Sequence, residues 1–191
     1  MILPNKSFYF IRHGETEWNK DKIIMGHTDI PLNQNGIDQA YYAQKFFKDM
    51  SFEKIYTSPL KRTYRTAEIL NESIGGSLVT CKSLMERGFG ESDGTPYNES
   101  LTTLANTELI KGAETFDVFE TRVLKAVEGI LTESKSPPLI VAHGGVFVIL
   151  AKYCGASSKL RAANCQLFLF RSPERQAHPW FICNLSDKED F

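Results

Sequence analysis

Three short runs of bulky apolar residues, each ending in a glycine-flanked or proline turn, set the limits on what this chain can fold into. Phe8-Tyr9-Phe10-Ile11 leads into Arg12-His13-Gly14, Lys54-Ile55-Tyr56-Thr57 into Ser58-Pro59, and Leu139-Ile140-Val141-Ala142 into His143-Gly144-Gly145. Runs this short and this apolar read as buried strands. Segments of helical period lie between them. Asn33 caps a helix near 34–48 with Ile37, Ala40, Tyr41, Ala43 and Phe47 on one face. Ser58 and Pro59 read as an N-cap and first helical residue of a second helix that stops at Gly75-Gly76. Thr115 caps a third, carrying Phe116, Phe119, Val123, Val127, Ile130 and Leu131 at helical spacing, and a fourth lies near 145–154. Ser77 to Cys81 is a weaker strand, and two more are expected near 165–171 and 179–184. Strand and helix alternating in this way predict an α/β fold, a three-layer αβα sandwich with a mostly parallel central sheet.

At 191 residues the chain reads as a single domain, 1–191, with a substrate-facing loop and short helix inserted around 86–111, where Gly88, Gly90, Gly94 and Pro96 interrupt the pattern. A chain of this size buries roughly 70% of its extended surface, so its core needs neither disulfides nor a structural metal. Lys plus Arg total 22 and Asp plus Glu 23. That balance argues against a nucleic-acid binder, whose basic face would show in the total. No apolar run approaches the ~18 residues of a membrane span, and Met1 to Ser7 carries no secretory signal. Cys81, Cys154, Cys165 and Cys183 form no CxxC pair and read as buried reduced thiols of a cytoplasmic protein. His13, His27, His143 and His178 make no HxH or HExxH pattern, so no metal is expected.

In an open α/β sheet, ligands bind beyond the carboxyl ends of the strands. His13 and His143 both sit there, each followed by glycine that allows close backbone approach, and Arg62 falls in the first turn of the helix after the second run. With Arg12, these residues would gather two cationic forks and two imidazoles at one edge. That is a site for an anion, most naturally a phosphate.

Arg12-His13-Gly14-Glu15-Thr16-Glu17-Trp18-Asn19 resembles the RHGxTxxN signature of the histidine phosphatase superfamily, the phosphoglycerate-mutase-like family. The likeness continues in order through Gly26-His27-Thr28-Asp29-Ile30-Pro31-Leu32, Ser58-Pro59-Leu60-Lys61-Arg62-Thr63, the acid loop at Leu84-Met85-Glu86, Gly112-Ala113-Glu114-Thr115 and Ala142-His143-Gly144-Gly145. The resemblance implies a histidine acid-type phosphatase that hydrolyses small phosphorylated metabolites through a phosphohistidine on His13. Arg12, Arg62 and His143 would hold the phosphoryl oxygens, with Asn19, Gly26 and Gly144 completing the phosphate-binding set. Glu86 would protonate the leaving oxygen and then activate water. It implies no cofactor, since the arginines supply the charge that magnesium supplies elsewhere, and it leaves the oligomeric state open.

Around these, a solvent-facing Arg65 and a packing role for Trp18 are expected. His27 could edge the pocket or cap a turn, Arg87 could reach the substrate, and His178 reads as a surface residue. A serine hydrolase is the first competing reading, from Gly90-Glu91-Ser92-Asp93-Gly94, but a nucleophile elbow needs a buried strand before the serine and a helix after it. A phosphoglycerate mutase is the second, weakened by the short stretch from Glu86 to His143 and by Glu86-Arg87-Gly88, which lacks the mutases' usual His-Tyr pair after the acid. A non-catalytic phospho-ligand binder is the third, although every catalytic position is filled. The chain departs from the family pattern at Met25, at Val148 and in the lost aromatic of Gly90–Gly94. All three lie where substrate shape is read, so phosphosugars, nucleoside or ribazole monophosphates, phosphoglycerates and phosphoproteins all stay open.

Overall fold

The computed structural model describes residues 2–97, 110–157, 159–173 and 180–186. The apolar runs become β1 (Phe8–Arg12), β2 (Lys54–Thr57) and β4 (Leu139–Ala142); β3 (Ser77–Thr80), β5 (Leu167–Arg171) and β6 (Phe181–Asn184) complete a six-stranded sheet of order β3-β2-β4-β1-β5-β6. Neighbours from β3 to β1 run parallel, and β5 pairs antiparallel with both β1 and β6. The mostly parallel sheet is therefore as expected.

Alternation along the strands divides the core in two. Phe8 and Phe10 of β1 and Ile140 and Ala142 of β4 face one layer, formed by α4 (Phe116–Glu133) and α5 (Gly144–Tyr153). Ile11, Leu139 and Val141 face the other, formed by α2 (Gln34–Ala43) and α3 (Lys61–Ile74). A short α1 (Glu17–Lys20) follows β1. Three layers result, as the alternating pattern requires. Asn33 and Thr115 cap α2 and α4 as read, accepting from the amides of Gly36 and Val118. Residues 44–47 tighten into a 3₁₀ turn, and Tyr41 is exposed rather than packed.

The start of α3 differs from the reading. The helix begins at Lys61, after an extended Leu60, instead of at Pro59. Ser58 Oγ accepts from the Leu60 amide at 3.3 Å, but the amide of Lys61 is capped by Asp29 Oδ1, at 2.7 Å, from a loop far away in sequence. The thiols also differ: Cys154 and Cys165 are buried, whereas Cys81 is half-buried and Cys183 exposed. The short helix expected behind the 86–97 loop, and His178, lie outside the described residues.

The topology creates the meeting point. β4 lies between β1 and β2, which precede it in the chain, so three strand ends adjoin. Arg12 pairs in register with Ala142, which brings His13 beside His143. Thr57 pairs with Val141, which brings the start of α3 and Arg62 to the same edge.

Candidate active site

His13 is 2% exposed and His143 fully buried, with ring centroids 5.3 Å apart. Nδ1 of His13 lies 2.7 Å from the Gly14 carbonyl, which can only accept, so Nδ1 carries the proton and Nε2 keeps its lone pair. Burial, and then the charges of Arg62 and Arg12, hold the His13 imidazole well below its ordinary pKa. His143 is lowered in the same direction, by burial first and then by Arg62, His13, Arg12 and Arg122. Both rings are neutral at pH 7.

The tautomer of His143 is the opposite one. Its Nδ1 accepts from Arg62 Nε at 3.4 Å, so Nε2 carries hydrogen, and that buried Nε2 has no partner among the described residues. Arg62 is itself completely buried. It donates to the Thr28 carbonyl at 2.9 Å and the Gly26 carbonyl at 2.8 Å, and burial lowers its pKa to about 10. Gly26 therefore meets the site through its carbonyl on Arg62. Its φ of 46°, and the Asp93 carboxylate that a Cβ would meet, make any side chain there strained. Arg12 donates to the Ala162 carbonyl at 2.9 Å, while its Nε is buried and unpaired among the described residues. The guanidinium lies against Gly144, 3.5 Å from the position of a Cβ. Two unpaired donors in one buried cluster have the chemistry that suits an anion.

Glu86 faces this cluster, and its charge acts on both Arg12 and Arg62. Its Oε1 accepts from the Arg87 amide and its Oε2 from the Gly145 amide, each at 2.9 Å, so the carboxylate sits on the first turn of α5. Asn19 closes a capping box with Thr16 at α1, and Asn164 donates to both its Oδ1 and the His13 carbonyl.

All the motif residues thus lie around one edge of the sheet. Arg65 is on the surface beside Glu68, and Trp18 packs on Gly94. His27 Nε2 donates to the Glu86 carbonyl at 2.8 Å, tying the loop that holds Arg62 to the acid loop. Arg87 is buried, 4% exposed, and its Nε donates to the Glu114 carbonyl at 2.9 Å. Ser92 falls in a 3₁₀ turn, Gly90–Ser92, without the strand that a nucleophile elbow requires, so the serine-hydrolase reading fails.

The sequence reading missed Arg122. This α4 residue makes a two-pronged pair with Glu114, at 2.6 and 2.8 Å, and donates to the carbonyls of Ser83, Met85 and Glu86. It clamps the backbone that carries Glu86. Glu114 was legible only as part of the turn before α4, and Arg122 only as one polar residue on a long helix.

The family model for the histidine phosphatase superfamily (branch 1) matches residues 8–169, and the chain belongs to that superfamily. Among its relatives is an uncharacterized phosphatase, PhoE, of Bacillus subtilis, 36% identical over 157 residues that make up 80% of this chain and 79% of that one. Another is a phosphoglycerate mutase-like protein 4 of Arabidopsis thaliana, 31% identical over 71% of this chain and 65% of that one. A mycobacterial glucosyl-3-phosphoglycerate phosphatase, solved as a complex with VO3, shares the fold at a TM-score of 0.77 and 21% identity, covering 94% of this chain and 98% of that one. Fold and family thus agree with the strand-end motifs, and the relatives' names include both phosphatase and mutase.

Proposed function

We propose that the chain is a metal-independent phosphomonoesterase acting on small phosphorylated metabolites through a phosphohistidine on His13. The observation that carries this reading is the bond from His13 Nδ1 to the Gly14 carbonyl, which leaves Nε2 with its lone pair on a neutral ring that has His143, Arg62 and Arg12 for neighbours. Nε2 attacks phosphorus, and the P–O bond to the alcohol breaks in line with the new N–P bond. Arg12 Nε, the Nε2–H of His143, Arg62 and Asn19 hold the non-bridging oxygens as charge redistributes. Glu86 gives its proton to the departing oxygen. It then takes one from water as that water attacks the phosphohistidine, which releases inorganic phosphate and restores His13.

Hydrolysis is favoured over mutase chemistry because only a short stretch separates Glu86 from His143 and because Glu86-Arg87-Gly88 lacks the mutases' usual His-Tyr pair. The mutase reading is supported by the name of the Arabidopsis relative and by the shared first half of the reaction. Hydrolysis of p-nitrophenyl phosphate in the presence of EDTA, by the native chain and by His13→Ala, tests the proposal. Activity that survives EDTA and falls at least ~100-fold in the variant is expected. An inactive native chain that isomerises phosphoglycerates would establish the mutase in its place.

A further inference from the structure

We infer that Asn164, in the turn before β5, is a positioning residue that fixes which face of the Asn19 amide is turned to the phosphoryl group. The inference rests on the reading above, in which Asn19 donates to a phosphoryl oxygen.

The His13 carbonyl can only accept, and Asn164 Nδ2 lies 2.9 Å from it, so the Asn164 amide is oriented with its NH2 group inward. That same NH2 reaches Asn19 Oδ1 at 3.2 Å with its second hydrogen. The backbone amide of Thr16, which can only donate, reaches the same oxygen at 3.3 Å. With two donors on Oδ1, the Asn19 side chain has one consistent orientation. Its NH2 group, which has no partner among the described residues, is turned the other way, as a donor.

The turn that carries Asn164 is itself fastened to the histidine's backbone. Cys165 adopts a positive φ of 53° and donates its amide to the Arg12 carbonyl at 3.0 Å and the His13 carbonyl at 3.4 Å. One residue thus orients the Asn19 amide and holds the carbonyl of the proposed nucleophile. Local sequence gives no sign of this, since Ala162-Ala163-Asn164-Cys165 reads as an ordinary turn.

The test is a set of variants read by the affinity for inorganic phosphate, measured by calorimetry, and by kcat and KM on p-nitrophenyl phosphate. Asn19→Ala should weaken phosphate binding ~10-fold, the loss of one hydrogen bond to a charged group. Asn164→Ala should do nearly the same, and the double variant should be no weaker than Asn19→Ala. Asn164→Asp replaces the donor with an acceptor, so Asn19 must turn its NH2 to the new carboxylate and its oxygen to the anion. Binding should fall ~10–100-fold, with KM rising more than kcat falls, and adding Asn19→Ala to Asn164→Asp should restore part of it. A purely structural Asn164 predicts losses that multiply and no restoration, and that result overturns the inference while leaving the role of Asn19 intact. Unchanged phosphate affinity in Asn19→Ala would instead remove Asn19 from the site and the inference with it. Should the Asn164 variants not fold, the native chain labelled with nitrogen-15 decides. Phosphate should shift the Asn19 side-chain NH2 signals more than those of Asn164, and the reverse order overturns the proposal.

Discussion

At the scale of single residues, Gly145 shows why the second glycine after His143 is needed. A Cβ there would stand 2.1 Å from Glu86 Oε1, while the Gly145 amide donates to Oε2 of the same carboxylate. Gly145→Ala must therefore displace the proposed acid, although alanine suits the first turn of a helix better than glycine does, by up to about 1 kcal/mol. The expected result is a loss of ~10–100-fold in kcat on alkyl phosphates, whose alkoxide needs a proton, and a much smaller loss on p-nitrophenyl phosphate. Glu86→Gln should show the same selectivity. Equal losses on both substrates would separate Gly145 from the acid. Arg12, His13, Arg62 and His143 were legible in the sequence because each sits in a dense motif at a strand or helix end, where chemistry concentrates. Arg122 and Asn164 were not, because they lie outside those motifs and act on carbonyls and side chains far away in sequence, while Gly145 was legible as part of a motif but its contact with Glu86 was not.

At the scale of elements, the acid loop is held by side chains from its neighbours more than by its own hydrogen bonds. Arg122 of α4 binds three of its carbonyls and is held in turn by Glu114, while His27 also binds the Glu86 carbonyl. The planar fork of arginine suits this arrangement and lysine does not reproduce it. Arg122→Lys should lower stability by about 2 kcal/mol, the cost of opening a largely buried pair and its hydrogen bonds, measured by urea unfolding. It should also lower kcat on alkyl phosphates more than on aryl phosphates, since the displaced group is the acid's backbone and not the phosphate receptor. A uniform loss across leaving groups would make Arg122 a stabilising residue only. The beginning of α3 shows the same dependence on distant partners. Ser58 and Pro59 form a good local start signal, yet the cap comes from Asp29, and the helix begins where that carboxylate reaches it.

At the scale of the whole molecule, the layer order was legible because apolar runs and helical periods alternate along most of the chain. The positions that needed the structure were those set by sheet order, above all the insertion of β4 between β1 and β2. That insertion buries two neutral histidines next to two arginines, and burial has a consequence for the stability of the entire chain. Both imidazoles are held well below the ordinary histidine pKa. Above about pH 6.5 they are neutral in the folded and unfolded states alike, and they contribute no pH dependence. Below it, the unfolded chain binds two protons that the folded chain refuses. Stability therefore falls as pH drops from about 6.5 toward 5, by up to about 1.4 kcal/mol per pH unit for each histidine, before the carboxylates begin to titrate. Urea unfolding at pH 7.5, 6.5 and 5.5 should show this slope, and His143→Gln, which keeps a neutral donor in place of the imidazole, should lose about half of it. An unchanged slope in that variant would mean that His143 is protonated in the folded chain. The receptor would then hold three cations before any phosphate arrives, and the neutral pairing of the two rings would have to be abandoned.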